Sequence, residues 1–203
     1  MTREEKTKKL EEIKAGMEKD ESLPLKKGAT RLVFGVGNPD TQVLFIGEGP
    51  AYWEDQKGEP FVGQAGKLLD SVLQSIKLPR EEVYITNVVH HRPPANRDPL
   101  PDEISAYGKY LDQIINTIKP KLIVTLGRFS MDKFLPNAKI SLVHGRLYRV
   151  NWNGENILIV PMYHPAAALR SGMMMEAFKQ DFSKLPACIK EASKIEVEQT
   201  KLI

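Results

Sequence analysis

The sequence predicts an α/β protein, a three-layer α/β/α sandwich around a central four-stranded parallel sheet. Three observations predict it. Four short apolar runs rich in branched residues, Val43–Ile46, Val83–Val89, Leu122–Leu126 and Ile157–Pro161, show no polar alternation, as strands covered on both faces require. Segments of helical period lie between them. No internal repeat, low-complexity tract or long linker interrupts the pattern, so one body is expected from 23 to 190.

The elements follow in order. Met1–Asp20 carries charges of both signs around Leu10, Ile13 and Met17, which reads as an exposed amphipathic helix resting on the body by one narrow stripe. This helix, residues 1–22, ends before Pro24 and Gly28. After the first strand, Ala65, Leu68, Leu69, Val72, Leu73 and Ile76 form a helical stripe preceded by Gly63. The next helix is expected to be capped by Asp102, with Ile104, Tyr107, Leu111, Ile114, Ile115 and Ile118 at spacings of three and four. A short helix is expected around Ser130–Phe134. Ile140–Ile159 reads as a β-ribbon turning at Asn153-Gly154 and feeding the last strand. A final helix over Met174–Lys190 and a polar tail over 191–203 complete the chain.

Composition narrows the function classes. The chain has 203 residues, 41% of them hydrophobic and 27% charged, with a formal charge of +3. That excess is too small to announce a nucleic-acid partner by itself. A single cysteine, Cys188, excludes an intramolecular disulfide and any multi-cysteine metal centre. No run approaches the ~20 apolar residues of a membrane span, and the charged N-terminus lacks the apolar core of a secretory signal. A monomer in a reducing, cytoplasmic setting, without a membrane partner, is expected.

The unusual polar residues share one location. Gly47-Glu48-Gly49-Pro50-Ala51 follows the first strand, with Glu54-Asp55 and Pro60-Phe61-Val62-Gly63 just beyond. Asn87 ends the second strand and leads into His90-His91-Arg92-Pro93-Pro94 and Asn96-Arg97. Gly127-Arg128 follows the third strand, and Tyr163-His164-Pro165-Ala166 and Leu169-Arg170 follow the fourth. All four loops emerge from the carboxyl edge of the predicted sheet, the edge at which open parallel sheets bind ligands. The plainer reading of each loop alone is a Gly/Pro turn; four on one rim point to a site.

These motifs, in this order, resemble those of the family 4 uracil-DNA glycosylases over about Leu23 to Leu185. The segments that carry the resemblance are Gly47–Gly66, Thr86–Val89, Arg92–Arg97 and His164–Arg170. The resemblance implies hydrolysis of the N-glycosidic bond of uracil flipped out of DNA, in base excision repair. It makes Phe61 the platform under the uracil ring, where a buried core Phe is the plainer reading. It makes Asn87 the reader of uracil N3–H and O4, where a strand-ending Asn is the alternative. It makes His164 the catalytic donor to the charge gathering on O2, as against a loop anchor.

The resemblance places Glu48 beside the position of a water-activating Asp, which here is Gly49. Glu48 then orients water or supports the sugar cation; Glu54 and Asp55 are alternatives, more naturally read as loop fixers. Gly47, Gly49 and Ala51 would wall the base, with Ala51 adding a methyl where many relatives carry Gly. Ala166, Leu169, Arg170, Arg92 and Arg97 would meet DNA. Leu169 reads either as the wedge replacing the flipped base or as an exposed helix-start residue. Arg128 and Arg146 extend the positive rim.

One departure stands out. The family usually binds a [4Fe–4S] cluster through four cysteines, and the matching positions read Asp20, Leu23, His91 and Tyr107. Such clusters need thiolates, so no cluster, and no metal, is expected. A zinc site from Asp20, His90 and His91 is the weaker alternative. The functional alternatives are a catalytically weak or covalent-trapping module that binds uracil-containing DNA, and a small-molecule hydrolase on the same fold.

Overall fold

The computed structural model describes residues 1–200, with side chains through residue 194; the last three residues of the expected tail, 201–203, lie outside the described residues. The sheet has six strands: β1 (Val36–Gly37), β2 (Val43–Gly47), β3 (Tyr84–Asn87), β4 (Leu122–Leu126), β5 (Tyr148–Trp152) and β6 (Glu155–Met162). Their order is β1-β3-β2-β4-β6-β5. The four predicted strands, β2, β3, β4 and β6, form the parallel centre. The sheet is nevertheless mixed, because β1 and β5 pair antiparallel on its two edges. The β5–β6 ribbon is shorter than the expected Ile140–Ile159 span, since Ile140–Val143 is helical and the first strand starts at Tyr148; it turns at Asn153-Gly154, both at positive φ (52° and 84°), the conformation a two-residue hairpin turn demands.

Residues of each central strand alternate between two cores. Leu44, Ile46, Ile123 and Ile159 face one, and Val43, Phe45, Val124 and Val160 face the other. Helices α1 (Arg3–Lys19) and α4 (Pro101–Ile118) cover the first face; α3 (Gln64–Ser75) and α8 (Gly172–Thr200) cover the second. Both faces are thus dry, which explains the absence of polar alternation along these strands. Short helices α2 (Tyr52–Lys57), α5 (Arg128–Asp132), α6 (Ile140–Val143) and α7 (Pro165–Ala168) line the edges.

Helix α1 begins with a capping box: Glu5 N–H donates to Thr2 Oγ1, and Thr2 N–H to the Glu5 carboxylate. Its stripe of Leu10, Ile13 and Met17 is buried in the α4 core, as the spacing predicts. Asp102, however, does not cap α4. Leu100 is the capping residue and Pro101 the first helical one, a position that suits a residue lacking N–H. The Glu103 carboxylate accepts the Leu100 N–H at 2.8 Å in place of a side-chain cap. Helix α8 also runs longer than Met174–Lys190. It starts at Gly172 and continues to Thr200, and Ala192 is still buried in the second core.

Candidate functional site

Strands β2 and β3 end in register, with Gly47 opposite Asn87. Asn87 is 2% exposed, and its Oδ1 has no hydrogen-bond partner. A buried acceptor left unpaired costs about 1–3 kcal/mol, so this atom is an open socket for a donor. Gly47 keeps the socket clear: a Cβ there would lie 2.4 Å from Asn87 Oδ1 and 2.6 Å from the Phe61 ring.

Phe61 is held in a left-handed backbone conformation, φ 53°, which a large side chain adopts only when its surroundings enforce it. Glu54 Oε1 accepts the N–H groups of Val62 and Gly63, both at 2.9 Å. Arg80 donates to the carbonyls of Pro60 and Phe61 while pairing with Asp70. Gly66 lets α3 come up underneath, since a Cβ there would sit 1.8 Å from the Phe61 carbonyl oxygen. Gly66→Ala is therefore expected to lower thermal stability by about 1–3 kcal/mol, an overpacking cost that thermal melts will read directly. Asp55 fixes the other end of this loop region, accepting N–H groups of Thr30 and Arg31 at 2.8 and 3.2 Å. The Glu54-Asp55 pair thus acts as a loop fixer.

His164 completes the group. Its ring stacks toward Phe61 with centroids 5.7 Å apart and planes 29° from parallel. Nδ1 accepts the Ala166 N–H at 3.1 Å, capping α7. That bond fixes the tautomer: the neutral ring carries its proton on Nε2 and presents a donor. Burial pushes the imidazole pKa down to about 4, with Glu54 opposing and Arg170 reinforcing the shift. His164 is therefore neutral near pH 7.

Phe61, Asn87 and His164 line a cavity of about 80 Å³ together with Gly49, Ala51, Glu54, Ala65 and Ala166. Water takes ~30 Å³ per molecule, so the space holds a few waters, the scale of one small planar ring. A larger cleft, about 570 Å³, lies elsewhere, between α1 and the 57–59 turn, and holds none of these residues.

Glu48 is not brought into the cavity. Its carboxylate turns to the β4–α5 connection, where Oε1 accepts the Phe129 N–H at 3.2 Å and packs against Gly127, whose Cβ would be 2.3 Å away. Burial, with the nearby Asp98 charge adding to it, pushes the Glu48 pKa up to about 7. The rim residues divide as well. Leu169 (47% exposed) and Arg170 project to solvent just beyond α7. Arg92 lies 5.2 Å over the Tyr52 ring and bonds Asn96. Arg97, expected at DNA, is clamped to the Glu103 carboxylate through two hydrogen bonds at 2.8 and 2.5 Å. Arg128 pairs with Asp98. The role of Arg80 gave no sequence signal, because it sits in a connector beside two glutamates and acts through backbone carbonyls.

The four positions that the resemblance assigns to cluster ligands carry no thiolate. Leu23 offers no donor and is 2% exposed. His91 Nδ1 and Tyr107 OH are bonded to each other at 2.7 Å. Asp20 takes hydrogen bonds from Tyr110 OH at 2.7 Å and Lys109 at 2.8 Å. Among the described residues, no group of three or more His, Cys, Asp or Glu side chains is placed to hold a metal ion.

Comparison with known proteins gives the family. The family model for the uracil DNA glycosylase superfamily matches residues 34–185. A type-4 uracil-DNA glycosylase of Archaeoglobus fulgidus is 46% identical over 79% of this chain and 83% of its own. Another, from Sulfurisphaera tokodaii, is 43% identical over 87% of this chain and 83% of its own. A third, from Thermotoga maritima, is 38% identical over 90% and 95%. With its sheet, its rim motifs and the match over most of its length, the chain belongs to the uracil DNA glycosylase superfamily.

Proposed function

We propose that the protein hydrolyses the N-glycosidic bond of uracil flipped out of DNA. One observation carries the reading: Asn87, whose buried Oδ1 has no hydrogen-bond partner, lines one small cavity together with Phe61 and His164. A uracil stacked on Phe61 gives its N3–H to Asn87 Oδ1, and its O4 takes an amide N–H. Cytosine offers no N3–H and presents an amino group where O4 should be, so the amide rejects it.

As the N1–C1′ bond breaks, its electron pair moves onto the uracil, with much of the charge at O2. His164 Nε2–H donates there and holds the developing anion. Because the ring is neutral, it stabilises this charge by a hydrogen bond from a preorganised donor. Water adds its oxygen to C1′ of the sugar cation and loses a proton, and the departing uracil anion takes one up. Glu48 acts as a positioning residue: it precedes Gly49 of the cavity wall and, by accepting the Phe129 N–H, ties that loop to the start of α5.

Gly47, Gly49 and Ala51 wall the base, and Ala166, Leu169, Arg170 and Arg92 meet the DNA around it. Arg97 contributes by bracing the start of α4. The vacated cluster positions form a packed plug, and the enzyme works as a cofactor-free monomer in the cytoplasm. No helix among the described residues is long and apolar enough to cross a membrane.

The test is uracil release from a uracil-containing oligonucleotide. Asn87→Ala is expected to lower kcat/KM by about 10²-fold or more, since it removes both base-reading contacts. Tight binding with no released base would favour a binding module, and a protein–DNA adduct on a denaturing gel a trapping one. Purified protein is expected to contain no iron or acid-labile sulfide and to keep full activity in EDTA. Stoichiometric iron would overturn the plug.

A further inference from the structure

The helix that follows the first rim loop presents a feature that neither the fold nor the base pocket uses. On α2, Tyr52 and Trp53 are 48% and 58% exposed and belong to neither core. Their rings meet edge to face with centroids 5.1 Å apart. The Arg92 guanidinium lies 5.2 Å over Tyr52 and is oriented by Asn96. The residues on either side of the pair in the chain, Ala51 and Glu54, line the cavity, so the pair is carried by the same segment as its wall. The Trp53 side chain also passes within 3.6 Å of the Cβ position of Gly63, in the loop that carries Phe61.

Two large aromatics left in water beside an arginine have the composition of a stacking platform for unpaired bases. We propose that Tyr52 and Trp53, with Arg92, form a second binding site, which stacks a nucleobase adjoining the flipped nucleotide. This rests on the glycosylase reading, which puts a DNA strand across the cavity mouth. A nucleotide cannot enter the cavity without drawing its neighbours to the rim, and extrusion from a duplex strips those neighbours of a stacking face. The aromatic pair supplies a replacement face, and the arginine answers the phosphate between them. The platform reads no sequence, because every base has a π-face. It favours single-stranded substrate, in which the neighbouring base is already free.

The experiment measures binding by fluorescence anisotropy, independently of turnover. The probe is a single-stranded oligonucleotide of about 15 nucleotides, with one central 2′-fluoro-deoxyuridine whose glycosidic bond resists cleavage. A second probe replaces the nucleotides on both sides of that uridine by abasic spacers. Wild-type protein is expected to bind the abasic-flanked probe about tenfold more weakly than the intact one. The Tyr52→Ala/Trp53→Ala variant is expected to bind the intact probe about tenfold more weakly than wild type and to ignore the spacers. The Tyr52→Phe/Trp53→Phe variant is expected to restore the difference, which separates stacking from a disturbed fold.

Equal wild-type affinity for both probes overturns the proposal, as does a double-alanine variant that still senses the spacers. Uracil release from the ordinary deoxyuridine oligonucleotide is measured alongside. Release without a spacer effect removes the platform and keeps the glycosylase; a spacer effect without release keeps the platform and removes the glycosylase.

Discussion

His164→Ala is expected to slow single-turnover uracil release by about 10²–10³-fold, the usual cost of removing one donor aimed at a developing oxyanion. The loss falls on kcat more than on KM, because the donor acts mainly on charge that appears as the bond breaks. His164→Gln keeps an N–H donor and is expected to recover part of the rate. The pH dependence separates this role from one that needs an imidazolium. With the pKa depressed to about 4 by burial, the ring is neutral throughout the range from pH 6 to 8. An activity limb near pH 6.5 assignable to His164 would show that a charged ring does the work. Rates that stay level there in wild type, with the same profile at lower height in His164→Gln, agree with the neutral donor.

The second large effect is on stability in acid. Burial depresses three histidines together: His90 to about 3, and His91 and His164 to about 4. In the unfolded chain each takes up its proton near pH 6.5. Between that value and the folded pKa values the unfolded state binds more protons, so stability is fullest above pH 6.5 and falls as pH drops toward 4. Glu48 runs the other way. Raised to about 7, it favours the folded state at low pH, but only one such group opposes three. The denaturation midpoint is therefore expected to fall steeply from pH 6.5 to 4, by an amount worth a few kcal/mol.

His90→Leu tests the assignment. His90 is fully buried, its Nδ1 lacks a partner, and Nε2 bonds Thr86 Oγ1, which itself donates to the Phe34 carbonyl. An apolar replacement of similar size leaves Thr86 satisfied, so a shallower acid limb with little loss at pH 7 is expected. An unchanged limb would place the acid sensitivity elsewhere.

The parts legible in the sequence are those fixed by solvent exclusion. The four central strands have no wet face, so Val43–Ile46 and Leu122–Leu126 carry their assignment in composition alone. The stripe of Leu10, Ile13 and Met17 likewise declares a helix with one buried edge. Phe61, Asn87 and His164 could be placed on one rim because loop order along a parallel sheet dictates which residues share an edge. Side-chain direction carries no such pattern. Glu48 and Gly49 are neighbours in the chain, yet one turns to the β4–α5 connection and the other to the cavity. Arg97 reads as a free cation until Glu103, six residues on, is seen to claim it. The two-residue β1 is too short to show a period. Asp102 lost the cap of α4 to a neighbour with no polar side chain, because Pro101 and Glu103 together set where that helix starts.

The anchoring of Phe61 has a consequence for how this pocket can be altered. The loop that carries it is secured through backbone groups, by Arg80 and Gly66 at Phe61 itself and by the Glu54 carboxylate at Val62 and Gly63. The aromatic face is consequently a replaceable tile set in a fixed frame. Libraries at position 61 should retune which heterocycle is accommodated while the scaffold retains its shape, whereas changes to the frame would spoil every version of the tile at once.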